Sequence, residues 1–132
     1  MSKTLNIEER KPIWIALSNF YLDTELEEYA LKSIAKKIIE SPYSLNKVKE
    51  INTYELFPVL HYNLISVAGV WTGFDEDWLT NSIIDSLSKR NKLKTIIIKA
   101  YFQINKRMFA TYWEKLEKVY NTIKQDSKSS QN

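Results

Sequence analysis

Only two of the 132 residues are glycine, and both, Gly69 and Gly73, lie in the stretch SVAGVWTGFDEDWL (66–79). The same stretch holds Trp71 and Trp78, two of the four tryptophans. With two Gly and three Pro, the chain has few residues that accept positive φ or pre-set a tight turn. It is poorly equipped for the many hairpins of a β fold. Helices joined by short connections need far less of that chemistry. The expected fold is all-α: a compact single-domain bundle of five to six helices over residues 1–124, followed by a flexible polar tail, QDSKSSQN, at 125–132.

The apolar spacing places those helices. Pro12 is expected to open the first, because a first turn needs no amide hydrogen from that position. Ile13, Leu17, Phe20 and Tyr21 then share a face with Trp14 alongside, and Asp23 closes it. Thr24 followed by Glu27 has the pattern of a capping box for a second helix, with Leu26, Ala30, Ile34 and Ile38 as its buried stripe. Ser41-Pro42 ends that helix. Ser44 is placed to cap a third, with Tyr43 clipped onto Val48, running to about Asn52. Pro58 interrupts the apolar segment that follows and predicts a kink or two short pieces.

The glycine-bearing stretch reads as a corner. Gly69 closes one segment, Gly73 turns the chain, and Asp75 caps the next helix with Glu76 and Asp77 in its first turn. That helix, Glu76–Lys89, is expected to bury Leu79, Ile83 and Leu87 with Trp78 beside them. A last helix from about Lys92 to Lys124 is apolar around most of its circumference. It is therefore expected to be long, largely buried and central, with a bend as one possibility.

The chemistry that composition excludes is extensive. There is no cysteine, hence no disulfide, thiolate zinc site or cysteine nucleophile. His61 is the single histidine and reads as an ordinary packed or polar residue. Two glycines cannot build a phosphate-cradling loop or a nucleophile elbow. Asp75, Glu76 and Asp77 lack the spacing of a calcium loop and read first as helix-start residues. No cofactor, no metal and no catalytic residue is expected. The longest near-apolar run, Leu64–Trp71, is far short of the ~20 residues that span a bilayer. The N-terminus lacks the apolar core of a signal peptide, so a soluble cytoplasmic protein without a membrane partner is expected.

The net charge of +3 conceals an asymmetry. Residues 1–88 carry 8 Lys/Arg against 13 Asp/Glu, whereas residues 89–132 carry 11 against 3. The molecule therefore either pairs its halves internally or presents two faces of opposite potential.

The segments PIWIALSNFYLDTEL (12–26), SPYSL (41–45) and LISVAGVWTGFDEDWL (64–79) resemble a family of small bacterial proteins described only as a domain of unknown function. The resemblance covers roughly residues 10–80. It implies a bacterial, cytoplasmic, helical protein and supplies no site residues.

Two functional readings follow from the residues. The first is a non-catalytic protein-binding module, an immunity protein that neutralises a bacterial toxin. Its surface would be Asp23, Glu25, Glu27, Glu28, Asp75, Glu76 and Asp77, with Trp71 as an aromatic anchor in a surface connection. First-turn acids also have a purely local role in helix starts, and Trp is more often core than anchor. The alternative is a nucleic-acid-binding accessory protein using the basic strip Lys92, Lys99 and Lys106 with Arg107. A solvated helix face accounts for that strip equally well.

Overall fold

The computed structural model describes residues 6–21, 27–60 and 74–130, less the side chains of 104, 105, 108 and 127–130. Six α-helices and no strand occur among the described residues: α1 (Ile7–Ser18), α2 (Glu28–Glu40), α3 (Leu45–Ile51), α4 (Glu76–Ser88), α5 (Lys92–Asn105) and α6 (Arg107–Ser130). A 3-10 turn (Asn19–Tyr21) extends α1, and a π-helical turn (Asn52–Leu56) extends α3. The expected all-α bundle is the observed architecture. The glycine corner at Gly69 and Gly73, together with His61, lies outside the described residues.

Helix α1 begins earlier than Pro12. Asn6 caps it, its side chain accepting the Glu9 N–H at 3.1 Å, and Glu8 and Glu9 occupy the first turn. A side-chain cap with acids behind it outweighs the single permissive position that proline offers. Pro12 sits inside the helix. The far end is tightened by Ser18 Oγ donating to the Ile15 carbonyl and Asn19 Nδ2 donating to the Ala16 carbonyl. The helix ends there, before Asp23.

Helix α2 also starts elsewhere than expected. Glu27 is extended at ψ 165° and is itself the N-cap, without a side-chain cap bond. It therefore does not fill the third helical position of a capping box, and Thr24 lies outside the described residues. Leu31, Ile34, Ala35 and Ile38 are buried. Ser44 caps α3 as expected, accepting the Lys47 N–H at 3.1 Å.

Up to residue 60 the chain runs through Pro58 without a break. The chain widens into the π turn, where the Phe57 N–H donates to the Asn52 carbonyl, and positions 57–60 return to α-helical geometry. A proline ring collides with the carbonyl four residues back in a regular helix. The widened turn directly before Pro58 relieves that collision. α1, α4 and α5 all pack on this turn, while α2 lies along α6 and against α1.

The core is strongly aromatic. Trp14, Phe20, Tyr21, Phe57 and Phe109 are fully buried with Ile13, Leu17, Ile34, Ile38, Ile51, Leu56 and Leu60. Phe20 stacks on Tyr112 at 5.3 Å and meets Trp113 edge-on at 5.1 Å. Tyr21 lies 5.1 Å from Phe109, and Phe57 meets Phe102 edge-on at 5.1 Å. Rings from the 3-10 turn, the end of the π turn, α5 and α6 thus interlock, each pair contributing about 0.5–1.5 kcal/mol beyond area burial.

The expected long C-terminal helix is realised as two, divided at Lys106. Asn91 caps the first, its Oδ1 accepting the Lys94 N–H at 2.8 Å. Burial is concentrated in the second, at Phe109 and Leu116, while Leu93, Ile96 and Ile97 of α5 face outward. A wide apolar arc meets neighbours only where an element packs on it, and Phe57 at the end of the π turn and Phe109 of α6 both meet α5 at Phe102, on one side of the helix.

Candidate functional site

The acidic candidates occupy helix starts. Asp75 Oδ2 accepts the Trp78 N–H at 2.8 Å, so this carboxylate is engaged in capping α4. Glu76 and Asp77 follow in the first turn and are exposed. Glu28 opens α2 and lies 3.9 Å from Lys32, both side chains well exposed. Asp23, Glu25 and Trp71 fall outside the described residues.

An open groove of about 840 Å³ runs between α1 and α2. Glu8 of α1, Tyr29 of α2 and Glu76 of α4 all line it, so the opening turns of three helices converge on one depression. Its walls include Ile15 and Ala30, with Lys11 and Lys37 as basic members. Tyr29, next to Glu27 and Glu28, is 73% exposed. Trp78, expected against the core, is instead 49% exposed and stacks on Phe74 with ring centroids 6.1 Å apart. The groove thus unites Glu76 with the α2 start; Asp75 and Asp77 do not line it.

The basic candidates separate into two groups. Lys106 and Arg107, at the α5–α6 junction, line a cleft of about 310 Å³ with Lys49, Thr53, Phe102 and Trp113. Lys49 Nζ stands 5.8 Å from the Trp113 ring centroid, within cation–π range. Lys92 and Lys99 are exposed on α5 and do not line that cleft. Sequence spacing identified Lys106 and Arg107 but missed Lys49 and Trp113, because helix α3 brings the lysine in from elsewhere in the chain.

A third constellation had no forecast in the sequence reading. Glu55, in the π turn, forms an ion pair with Arg10 through Oε2 and accepts the Trp14 indole N–H through Oε1 at 2.8 Å. Arg10 Nε donates to the Tyr43 hydroxyl at 3.1 Å. Burial lowers the pKa of Arg90, and the charge of Glu55 acts in the opposite direction. The one available signal was that Arg10 and Trp14 stand four apart on α1 and so share a face. Both carboxylate oxygens are engaged, which makes Glu55 an anchor between α1 and the π turn. Among the described residues no group of three or more His, Cys, Asp or Glu is arranged to hold a metal.

These features define an all-helical protein whose distinctive surfaces are a groove lined by two carboxylates and two lysines and a basic aromatic cleft. The chain belongs to the family DUF7079, a domain of unknown function, matched over residues 8–119. The match continues well beyond Leu79, so α5 and much of α6 are part of the family domain. No curated protein and no solved structure matches the chain.

Proposed function

We propose that this protein is a non-catalytic protein-binding module of the immunity type, which occludes a cationic partner such as a toxin domain. The observation that carries this reading is Tyr29, 73% exposed on the lip of a groove whose other lips bear Glu8 and Glu76. A mostly exposed aromatic ring beside carboxylates supplies an anchor and an electrostatic guide together. Trp78 offers a second exposed ring on α4.

The test is co-expression with the product of the adjacent gene, followed by calorimetry on the purified pair. A complex that relieves toxicity, weakens with salt and loses about tenfold or more affinity in Glu8→Lys/Glu76→Lys supports the reading; tenfold corresponds to about 1.4 kcal/mol. Absence of a complex and of any relief of toxicity overturns it.

A second reading, single-stranded nucleic-acid binding, is favoured by the cleft where Lys49, Lys106 and Arg107 surround Trp113 and Phe102. Aromatic rings next to cations form a platform for a stacked base with its phosphate. Anisotropy with labelled single-stranded RNA or DNA tests it. Retention that survives Lys106→Glu/Arg107→Glu or ignores salt disposes of this reading.

A further inference from the structure

Helix α5 carries an apolar face that no described element covers. Leu93 is 66% exposed, Ile96 64% and Ile97 57%, with exposed Ala100 among them, while Tyr101 at the edge of this face packs on Phe57 with ring centroids 5.6 Å apart. At about 100° per residue Leu93, Ile96, Ile97 and Ala100 form one arc of roughly 100°. The opposite side of the helix faces the molecule, where Phe102 packs on Phe57 and Ile98 is half-buried.

The borders of the arc are cationic on both sides. Lys92 and Lys99 flank one edge, and Lys94 flanks the other by the same angular count. The chain has no Asp or Glu between Asp85 and Glu114, while residues 89–107 hold seven Lys/Arg. Among the described residues Lys89 is the member of this set held in an ion pair, 3.1 Å from Asp85.

We propose that α5 lies flat on an anionic lipid surface, with Leu93, Ile96 and Ile97 entering the headgroup–acyl boundary. A second copy of the same face would set lysine against lysine, which opposes self-pairing. An anionic bilayer offers apolar depth under the arc and negative charge along both borders at once. Lysines then extend their stems beside the apolar residues and keep their amines at the headgroups. No described helix is long and apolar enough to cross a membrane. The expectation of no membrane partner rested on spanning segments and does not bear on a helix lying in the interface.

Co-sedimentation of the full chain with vesicles of phosphatidylglycerol and phosphatidylcholine in equal parts, and with phosphatidylcholine alone, tests this. Binding to the anionic vesicles alone, weakened by salt and reduced about tenfold or more by Ile97→Glu and by Lys92→Gln/Lys94→Gln/Lys99→Gln, supports the proposal. All four positions are exposed, so the thermal melts of these variants should match the parent. Failure to bind anionic vesicles overturns it, as does equal binding to neutral ones. Self-association in sedimentation velocity that Ile97→Glu abolishes also overturns it, because the face would then be an interface between copies. Glu8→Lys/Glu76→Lys, which addresses the groove, should leave vesicle binding intact, so the two readings fail separately.

Discussion

The Trp14 indole N–H donates to Glu55 Oε1 at 2.8 Å, joining residues 41 positions apart. The partner oxygen of that carboxylate holds Arg10, and both charged side chains are nearly buried, at 11% and 13% exposed. This pairing attaches α1 to the π turn on which α4 and α5 also pack.

Removing one member of such a pair leaves the other charged and desolvated. Glu55→Leu should lower stability by about 3–5 kcal/mol. Arg10→Met/Glu55→Leu should recover much of that loss, since neither charge then remains buried alone. Urea unfolding of the wild type, both single variants and the double variant checks this through the coupling energy.

Tyr21 predicts an alkaline limit to stability. Its ring is fully buried, and its hydroxyl donates to Asn52 Oδ1 at 2.6 Å. Burial raises the phenol pKa well above its ordinary value, and the bond to Asn52 acts in the lowering direction. Below the unfolded pKa of about 10 this contribution is fully present. As pH rises above that value, the unfolded chain ionises while the folded one keeps its proton, so stability falls until the folded pKa is passed. Tyr21→Phe should cost about 1–3 kcal/mol near neutral pH by stranding Asn52, and that deficit should shrink at high pH. Unfolding curves collected across the alkaline range test the sign.

The aromatic core and the exposed rings should respond differently. Phe109, 1% exposed, contacts Tyr21, Phe57 and Phe102. Phe109→Ala should therefore cost about 3–5 kcal/mol. Trp78→Ala, at a half-exposed position, should change the melting temperature far less. Paired thermal melts distinguish the two.

Asn91 is a local test of α5. Asn91→Ala removes the acceptor of the Lys94 N–H and should destabilise the helix start by about 1 kcal/mol. Faster amide exchange at Lys94 and its neighbours, with α6 unchanged, is the expected signature.

Much of the local architecture was legible. The caps at Ser44 and Asp75, the stop at Ser41-Pro42, and the buried positions Ile13, Leu17, Phe20, Tyr21, Ile34, Ile38, Leu79 and Ile83 follow from short-range chemistry and 3.6-residue spacing. Asn6 was obscured by Pro12, the louder start signal. The division at Lys106 carries no glycine or proline to mark it. The Arg10–Glu55 pair depends on elements 45 positions apart meeting in space. The outward face of α5 was misread as core because a helical wheel measures the width of an apolar arc and does not say which part a neighbour covers. For the candidate site, the acids near the groove were named as types, but their union with Glu8 and Tyr29 required the packing of three helices.

The widened turn at Asn52–Leu56 works as an angular offset in the middle of the molecule. It holds one residue more than a regular turn, so the chain beyond it is rotated by about 100° relative to an uninterrupted helix. Rewinding the turn as ordinary α-helix with all its residues kept would swing Phe57 and Leu60 away from the side on which they are now buried, whereas deleting a single residue there would restore ordinary winding and leave them on it. A one-codon deletion of Thr53 should thus damage the protein less than a one-codon deletion inside α2, where no widened turn takes up the lost residue.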